Sequence, residues 1–320
     1  MTECRGLSLM SGGLDSQLAI KVLERAGAKV EAVCFSSPFF SHDAAAKAAE
    51  KLGVKLHIVD FTADEVALVK NPPHGFGGAM NPCIDCHATM IKRAGELMAK
   101  LGYDFVATGE VMGQRPMSQN RQSLGIVARS SGLGGRLIRP LSAKLLEPTI
   151  PENEGKIDRE KLLDISGRSR DRQIALAKEF GIVDYPSPAG GCKLTESGYS
   201  RKLKDLLDNE GLDNRQLLEL LVVGRRFRLP GGTGVILGRD QRENALLQHS
   251  SGLGTIVAPV NVPGPTALLP VVKCDEDLEL AKVLICSYSK YDRLEGEIEL
   301  NCGKVPRPYD REAFKRYQIC

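Results

Sequence analysis

The chain has 320 residues, which is enough for two domains at the usual size of roughly 100–200 residues each. Hydrophobic residues make up 42% and charged residues 26%, and this near-average balance argues against wholesale disorder. The formal net charge of +3 neither requires nor excludes a polyanionic partner. Because no apolar run reaches the ~20 residues of a membrane helix and the N-terminus lacks a secretory pattern, we expect a cytoplasmic protein.

The first half of the chain alternates short apolar runs with amphipathic segments. Strands are predicted for LSLM, EAVCF, VKLHIVDF and DFVATG, and helices for residues 14–26, 43–52 and 86–101. This order predicts an α/β fold in which helices cover both faces of a parallel sheet. Ligands of such sheets bind beyond the carboxyl ends of the strands, so the turns there are the place to search.

The pattern changes in the second half. Residues 158–182 are predicted to be helical, and residues 184–195 form a loop rich in Pro and Gly. After two further helices, FRLPGGTGVILGRDQRENALLQ predicts strand, tight turn, strand and helix, with more strand signals at 253–258 and 268–272. We therefore predict a domain over residues 1–212 and a smaller α+β domain over residues 213–320.

A glycine loop, SGGLDS at residues 11–16, directly follows the first strand and precedes the first helix. Gly12 and Gly13 allow a tight turn in which several amide N–H groups point at one spot, while the hydroxyls of Ser11 and Ser16 can donate hydrogen bonds. No Gly-Lys-Ser/Thr follows, so the loop is not a Walker motif. The pattern favours a phosphate site over a plain turn in which Asp15 only complements the helix dipole.

Three cysteines attract attention among the nine. Cys83 and Cys86 lie about one turn apart at the start of a predicted helix, whose dipole favours thiolates. Alone, this pair is consistent with a redox disulfide, half of a zinc site, part of an iron–sulfur cluster or coincidence. Cys192, in AGGCKL, offers a third thiolate, which is one short of a closed zinc site or a fully ligated 4Fe-4S cluster. We favour a 4Fe-4S cluster whose open position holds sulfide over a persulfide relay between the cysteines.

These motifs resemble known enzymes. SGGLDS in this setting resembles the signature of the PP-loop ATP pyrophosphatases. The segments PCIDCHATMIKRAGELM, DFVATGEVMGQRPMSQNRQSLGIV and LIRPLS resemble the catalytic domain of tRNA 4-thiouridine synthases over residues 5–193. The wobble-uridine 2-thiolases share the PP-loop and are the nearest alternative. The resemblance implies that ATP and Mg²⁺ adenylate a uridine carbonyl oxygen of tRNA, which sulfur then replaces.

The resemblance also assigns residues. It implies that Asp15 lies near magnesium or pyrophosphate and, with the three cysteines, carries catalysis. The implied nucleotide-binding residues are Ser11, Gly12, Gly13, Asp15, Ser16, Thr108 and Gly109, with Ser36 at the adenine, and the implied cluster ligands are Cys83, Cys86 and Cys192. Four further polar residues would line the region where ATP meets the uridine: Glu110, Gln114, Ser118 and Gln119. Of these, Gln114 is predicted to contact RNA.

The C-terminal segment VGRRFRLPGGTGVILGRDQRENALL resembles the NFACT-R RNA-binding domain. We expect it to replace the tRNA-binding module that 4-thiouridine synthases usually carry before the PP-loop. The residues predicted to contact phosphates are Arg225, Arg226, Arg228, Arg239 and Arg242. Since no rhodanese-like segment is apparent, we expect sulfide or a cysteine desulfurase to supply sulfur. Two other function classes stay open, namely a PP-loop ligase or amidotransferase acting on a small substrate and a non-catalytic RNA-binding protein.

Overall fold

The computed structural model describes residues 3–187, 191–289, 297–305 and 311–319. It divides into two compact units, Met1–Thr195 and Glu196–Cys320. Residues 188–190 of the predicted Pro/Gly-rich loop lie outside the described part. Among the helices described, none combines the length and apolar character that a membrane crossing requires.

The N-terminal unit is an α/β layer structure, as predicted. Its sheet has the order β3-β2-β1-β4-β5, and every pairing is parallel. The strands are β1 (Arg5–Leu9), β2 (Lys29–Ser36), β3 (Leu56–Asp60), β4 (Phe105–Ala107) and β5 (Leu137–Ile138). The helices are α1 (Leu14–Arg25), α2 (Asp43–Leu52), α3 (Thr62–Lys70), α4 (Cys83–Leu101), α5 (Arg121–Ser131), α6 (Ile150–Asn153) and α7 (Asp171–Glu179).

Side-chain alternation in the strands explains why both sheet faces are covered. Along β2, Ala32 and Cys34 pack in the cluster formed with α1, α2 and α7, whereas Val33 and Phe35 pack in the cluster formed with α3, α4 and α5. Successive strand residues point to opposite faces, so a continuous apolar run serves two cores. The predicted fold class is confirmed by this arrangement.

The predicted helix over residues 158–182 differs from the structure, where only α7 is a helix of appreciable length. Residues 165–167 pair instead with neighbouring segments, because Ile165 N–H donates to the Leu141 carbonyl and Gly167 N–H to the Met112 carbonyl. Gly167 also has a φ of 86°, which a helix does not accept. Tertiary hydrogen bonds therefore override the apolar spacing of this stretch.

The C-terminal unit is built on an antiparallel sheet of order β12-β6-β7-β9-β8 and a β10-β11 hairpin. The strands are β6 (Arg225–Arg228), β7 (Gly234–Leu237), β8 (Thr255–Val257), β9 (Ala267–Leu269), β10 (Ile298–Leu300), β11 (Gly303–Val305) and β12 (Gln318–Ile319). The helices are α8 (Ser197–Asn209), α9 (Arg215–Glu219), α10 (Gln241–His249) and α11 (Asp275–Ser287).

Buried charges attach α8 to this second sheet. Arg226 is 2% exposed, and its guanidinium donates to Asp205 Oδ2 at 2.7 Å and to Glu210 Oε2 at 2.8 Å. Arg228 donates to the same two carboxylates. Since Asp205 lies on α8 and Glu210 just after it, the division between units falls before α8 rather than at the predicted residue 212.

Candidate active site

The loop between β1 and α1 has the geometry of an anion cradle. Gly12 has a φ of 82°, and a Cβ there would lie 2.4 Å from the carbonyl carbon of Ala44, so the position requires glycine. Gly13 is the N-cap of α1 and offers no capping side chain. The amides of the first helical turn therefore remain available to an anion at the positive end of the helix dipole. Ser16 is buried and donates to the Gly13 carbonyl at 2.8 Å, which fixes the turn.

Asp15 lies near the end of this loop, and one of its carboxylate oxygens has no hydrogen-bond partner among the described residues. Gln114 Nε2 donates to Asp15 Oδ2 at 2.8 Å, whereas Asp15 Oδ1 is buried and has no hydrogen-bond partner among the described residues. Burial raises the pKa of Asp15 against the opposing effects of Gln114, Arg170 and Arg115. A buried oxygen of this kind suits Mg²⁺, which binds protein carboxylates together with substrate phosphates. Gln114 thus positions Asp15, and its predicted contact with RNA stays a prediction.

A basic run, GRSRDR at residues 167–172, also reaches the glycine loop. Arg170 is the residue directly before α7, and its charge lowers the pKa of Asp15. Its Nε is buried without a hydrogen-bond partner in the described structure. Gln173, fully buried on α7, donates to Gln114 Oε1 at 3.4 Å. A positive side chain and two amides thus lie beside the glycine loop, where an anionic phosphate would need them.

The segment after β4 packs directly on the glycine loop. A Cβ at Gly109 would lie 2.6 Å from the carbonyl carbon of Asp15, so only glycine permits this approach. Thr108 Oγ1 donates to Glu110 Oε2 at 3.0 Å. Because Thr108 and Gly109 follow a strand next to β1, they border the loop, and their nucleotide-binding role stays a prediction.

Glu110 connects this segment to α4. Its carboxylate accepts from Arg139 Nε at 2.9 Å and lies 3.0 Å from His87 Nδ1. Burial alone would raise the pKa of Glu110, but Arg139 and His87 outweigh burial and lower it to about 2. His87, the residue after Cys86, thus links α4 to Glu110. Glu110, Ser118 and Gln119 are buried, so their polar groups are held in the protein interior rather than freely exposed.

The structure brings Cys192 into the neighbourhood of the CxxC pair. Cys83 begins α4 and Cys86 is buried one turn later. Lys193 N–H donates to the Phe39 carbonyl at 3.0 Å, which holds the Cys192 segment against the chain beyond β2. The pKa of Cys192 is raised to about 12, mainly by burial, and the nearby Glu65 and Cys83 contribute to this rise. The pKa of Cys86 is raised mainly by burial, and the two other thiols raise it as well.

A buried carboxylate, Glu65, accompanies the thiols and was not predicted. It lies in the first turn of α3 and is 0% exposed, and Cys86 Sγ donates to its Oε2 at 3.1 Å. Burial raises the pKa of Glu65 to about 7. Sequence alone gave no signal for it, because TADEVALVK reads as an ordinary helix with acidic residues near its start. Within the described residues, no group of three or more His, Cys, Asp or Glu is arranged to hold a single metal ion.

Two further predictions can be located. Ser36 ends β2 and lies 3.1 Å from His42 Nδ1, at the same sheet edge as the glycine loop, so its predicted place at the adenine stays a prediction. The predicted phosphate contacts of Arg226 and Arg228 need correction, because both side chains are engaged by Asp205 and Glu210 inside the unit.

The other three arginines are better placed for a partner. Arg242 is exposed on α10. Arg239 is exposed and pairs with Glu243, which lies four residues along the chain. Arg225 is partly buried, with its guanidinium 5.2 Å from the ring centre of Tyr288.

Comparisons with known proteins address both units. The family model described as thiamine biosynthesis protein (ThiI) matches residues 1–144, and that of the NFACT protein RNA binding domain matches residues 224–315. The first match lies in the N-terminal unit and the second in the C-terminal unit. The ThiI match covers the glycine loop, the CxxC pair and the segment after β4.

Individual relatives match shorter stretches. A tRNA-specific 2-thiouridylase MnmA of Sulfurimonas denitrificans is 37% identical over 112 residues, covering 31% of this chain and 32% of that protein. A probable tRNA sulfurtransferase of Thermoanaerobacter sp. is 31% identical over 149 residues, covering 44% of this chain and 37% of that protein. The chain thus spans about a third of the length of these curated relatives.

Solved structures also match. A 4-thiouridine synthetase in complex with RNA and bound ATP aligns with a TM-score of 0.41 at 20% identity, covering 68% of this chain and 52% of that chain.

Proposed function

We propose that this chain is an ATP-dependent tRNA sulfurtransferase. It adenylates a uridine carbonyl oxygen and replaces that oxygen with sulfur, with 4-thiouridine as the favoured product. The observation that carries the proposal is that an anion cradle and three thiols share one edge of the parallel sheet. Glu110 connects them, because it is hydrogen-bonded to His87 beside Cys86 and follows Gly109, which packs on Asp15.

The glycine loop supplies the nucleotide chemistry in this proposal. Its amides and the N-terminus of α1 bind the ATP phosphates, and Asp15 binds Mg²⁺ through Oδ1. Arg170 adds positive charge where pyrophosphate separates from the α-phosphate. Adenylation turns the uridine oxygen into part of a good leaving group, AMP. Gln114 and Gln173 orient Asp15, so they act on the geometry of the site rather than on substrate.

The three cysteines supply the sulfur chemistry. Their donor set fits a 4Fe-4S cluster with three protein ligands, since such a cluster spreads its thiolates over separate irons instead of one ion. Cys83, Cys86 and Cys192 would hold it, and the cluster would present sulfide to the activated base. Persulfide formation on one of these cysteines is the rival route, favoured by their mutual proximity and tested below. A cytoplasmic location, where thiols stay reduced, suits both routes.

The C-terminal unit provides the RNA contacts. Its NFACT match and its exposed arginines support binding of a polyanion, with tRNA as the substrate. The target base must leave its stack to reach the sheet edge, which costs a few kcal/mol. Contacts of Arg225, Arg239 and Arg242 to phosphates elsewhere would offset that cost.

One other product has a specific observation in its favour. The relative with 37% identity is named as a tRNA-specific 2-thiouridylase, so 2-thiouridine is the second candidate. The two products have the same elemental composition but different positions of sulfur on the ring. Chromatography against both standards distinguishes them.

The test uses the full chain, reconstituted anaerobically with iron and sulfide and incubated with ATP, Mg²⁺, sulfide and unmodified tRNA. We expect tRNA-dependent release of AMP and pyrophosphate and a thionucleoside detected by mass spectrometry. Asp15→Asn should abolish both, whereas Cys192→Ser should retain adenylation but lose thiolation. The proposal fails if the wild-type chain releases AMP on tRNA without thiolating it, or thiolates without ATP. Iron-free protein that thiolates tRNA when a cysteine desulfurase and free cysteine supply sulfane sulfur, but not when sulfide is the only source, would favour the persulfide route.

A further inference from the structure

Glu65 is a buried acid with an unused oxygen. Its Oε2 accepts a hydrogen bond from the Cys86 thiol, whereas its Oε1 is buried and has no hydrogen-bond partner among the described residues. Taking a carboxylate out of water costs several kcal/mol unless it is paired or binds a metal. A helix residue without such a role would be apolar at this depth. The position therefore calls for an explanation beyond packing.

The surroundings of Glu65 are acidic groups of the candidate site. Cys86 and Cys192 both lie close enough to Glu65 for its charge to raise their pKa, and Cys83 raises the pKa of both other thiols. Cys86 Sγ lies 3.1 Å from Glu65 Oε2, so this carboxylate borders the three thiols, and its other oxygen is left for a metal that the thiols would hold.

We propose that Glu65 is a fourth protein ligand of the metal centre that Cys83, Cys86 and Cys192 would hold. The proposal rests on the cluster of the proposed function and adds a ligand that the CxxC pattern does not include. Three cysteines leave one coordination position, and the free carboxylate oxygen of Glu65 is a donor beside them. Oxygen is a harder ligand than sulfide, so iron would exchange this position for sulfide readily while keeping its three thiolates.

The test compares Glu65→Gln with Asp64→Asn. Glutamine keeps the size of Glu65 but removes its charge, and Asp64 is the adjacent acid on α3, which instead pairs with Arg93 at 2.8 Å. Each full-length chain is reconstituted anaerobically with ⁵⁷Fe and sulfide, and unbound sulfide is then removed by gel filtration. Iron content, the Mössbauer spectrum and the rate of iron release to a chelator are then measured before any substrate is added.

We expect the wild type and Asp64→Asn to show one iron site with oxygen ligation and slow release. Glu65→Gln should lose that site and release this iron about tenfold faster or more, since disturbing ligand shells costs roughly 10–100-fold in metal affinity. The metal-free variant should melt no lower than the metal-free wild type, because its amide carries no charge to bury. Glu65→Asp, which keeps the carboxylate, should restore an altered oxygen-ligated site.

The possible outcomes test the role of Glu65 and the presence of the cluster separately. Identical spectra and release rates for Glu65→Gln and the wild type would overturn the role of Glu65 and leave the cluster standing. A wild-type chain that binds no iron would overturn both. Lower melting of metal-free Glu65→Gln, with an unchanged iron spectrum, would assign Glu65 a packing role instead.

Discussion

The lowered pKa of Glu110 predicts how the stability of the N-terminal unit depends on pH. Its pKa is about 2 instead of 4.5, because Arg139 and His87 outweigh the effect of burial. At about 1.36 kcal/mol per pKa unit, the ionised carboxylate stabilises the folded state by about 3 kcal/mol. A lowered pKa means that this stability is present above the unfolded value and is lost as pH falls. The loss should therefore occur between pH 4.5 and pH 2.

Glu110→Gln is the perturbation that isolates this effect. Near neutral pH it should lower the free energy of unfolding by about 3–5 kcal/mol, because Arg139 is left buried without its carboxylate. The variant should also lose the part of the acid destabilisation that Glu110 causes, although other carboxylates continue to titrate. Subtracting the pH profile of the variant from that of the wild type therefore gives the contribution of Glu110.

Amide hydrogen exchange at Phe105–Ala107 is the suitable assay, since β4 reports on the N-terminal unit alone. The exchange rates are corrected for the intrinsic pH dependence of exchange and converted to opening free energies. Parallel profiles for the wild type and Glu110→Gln across the acid range would refute the reasoning. So would a variant as stable as the wild type near neutral pH.

Three other predictions concern the two units separately. Gly109→Ala should weaken ATP binding and destabilise the N-terminal unit by about 1–3 kcal/mol, because its Cβ meets the Asp15 backbone. The control is Gly125→Ala on α5, which should stabilise the same unit by about 0.5–1 kcal/mol in a calorimetric melt. Arg226→Met should destabilise the C-terminal unit by about 3–5 kcal/mol, since two buried carboxylates lose a partner; a variant as stable as wild type but weaker in RNA binding would contradict this. Arg242→Ala should leave the melting temperature unchanged and lower the salt dependence of tRNA binding by about one phosphate contact, measured by fluorescence anisotropy.

Local patterns in the sequence were sufficient for the α/β fold and for the glycine loop. Gly12, Gly13 and Asp15 lie within a few residues of each other, so their juxtaposition follows from one turn between a strand and a helix. The position of Cys192 depended on a resemblance, because no local rule brings it to Cys83 across more than half of the N-terminal unit. The arginines of β6 show how a local pattern can mislead. Their sequence is typical of a phosphate-binding surface, but carboxylates on and just after α8 pair with two of them inside the unit.

Glu65 shows why the site was only partly predictable. Its chemistry depends on α3 and α4 packing on the same sheet face, with Cys192 returning from a distant loop, and each of these is a tertiary fact. Parallel sheets gather such groups because their strands all end at one edge, where loop residues escape the packing demands that dominate the strands. A carboxylate that is buried there, with an oxygen left unused, cannot be explained by the stability of the fold alone. The metal centre proposed above would supply the partner that this oxygen lacks.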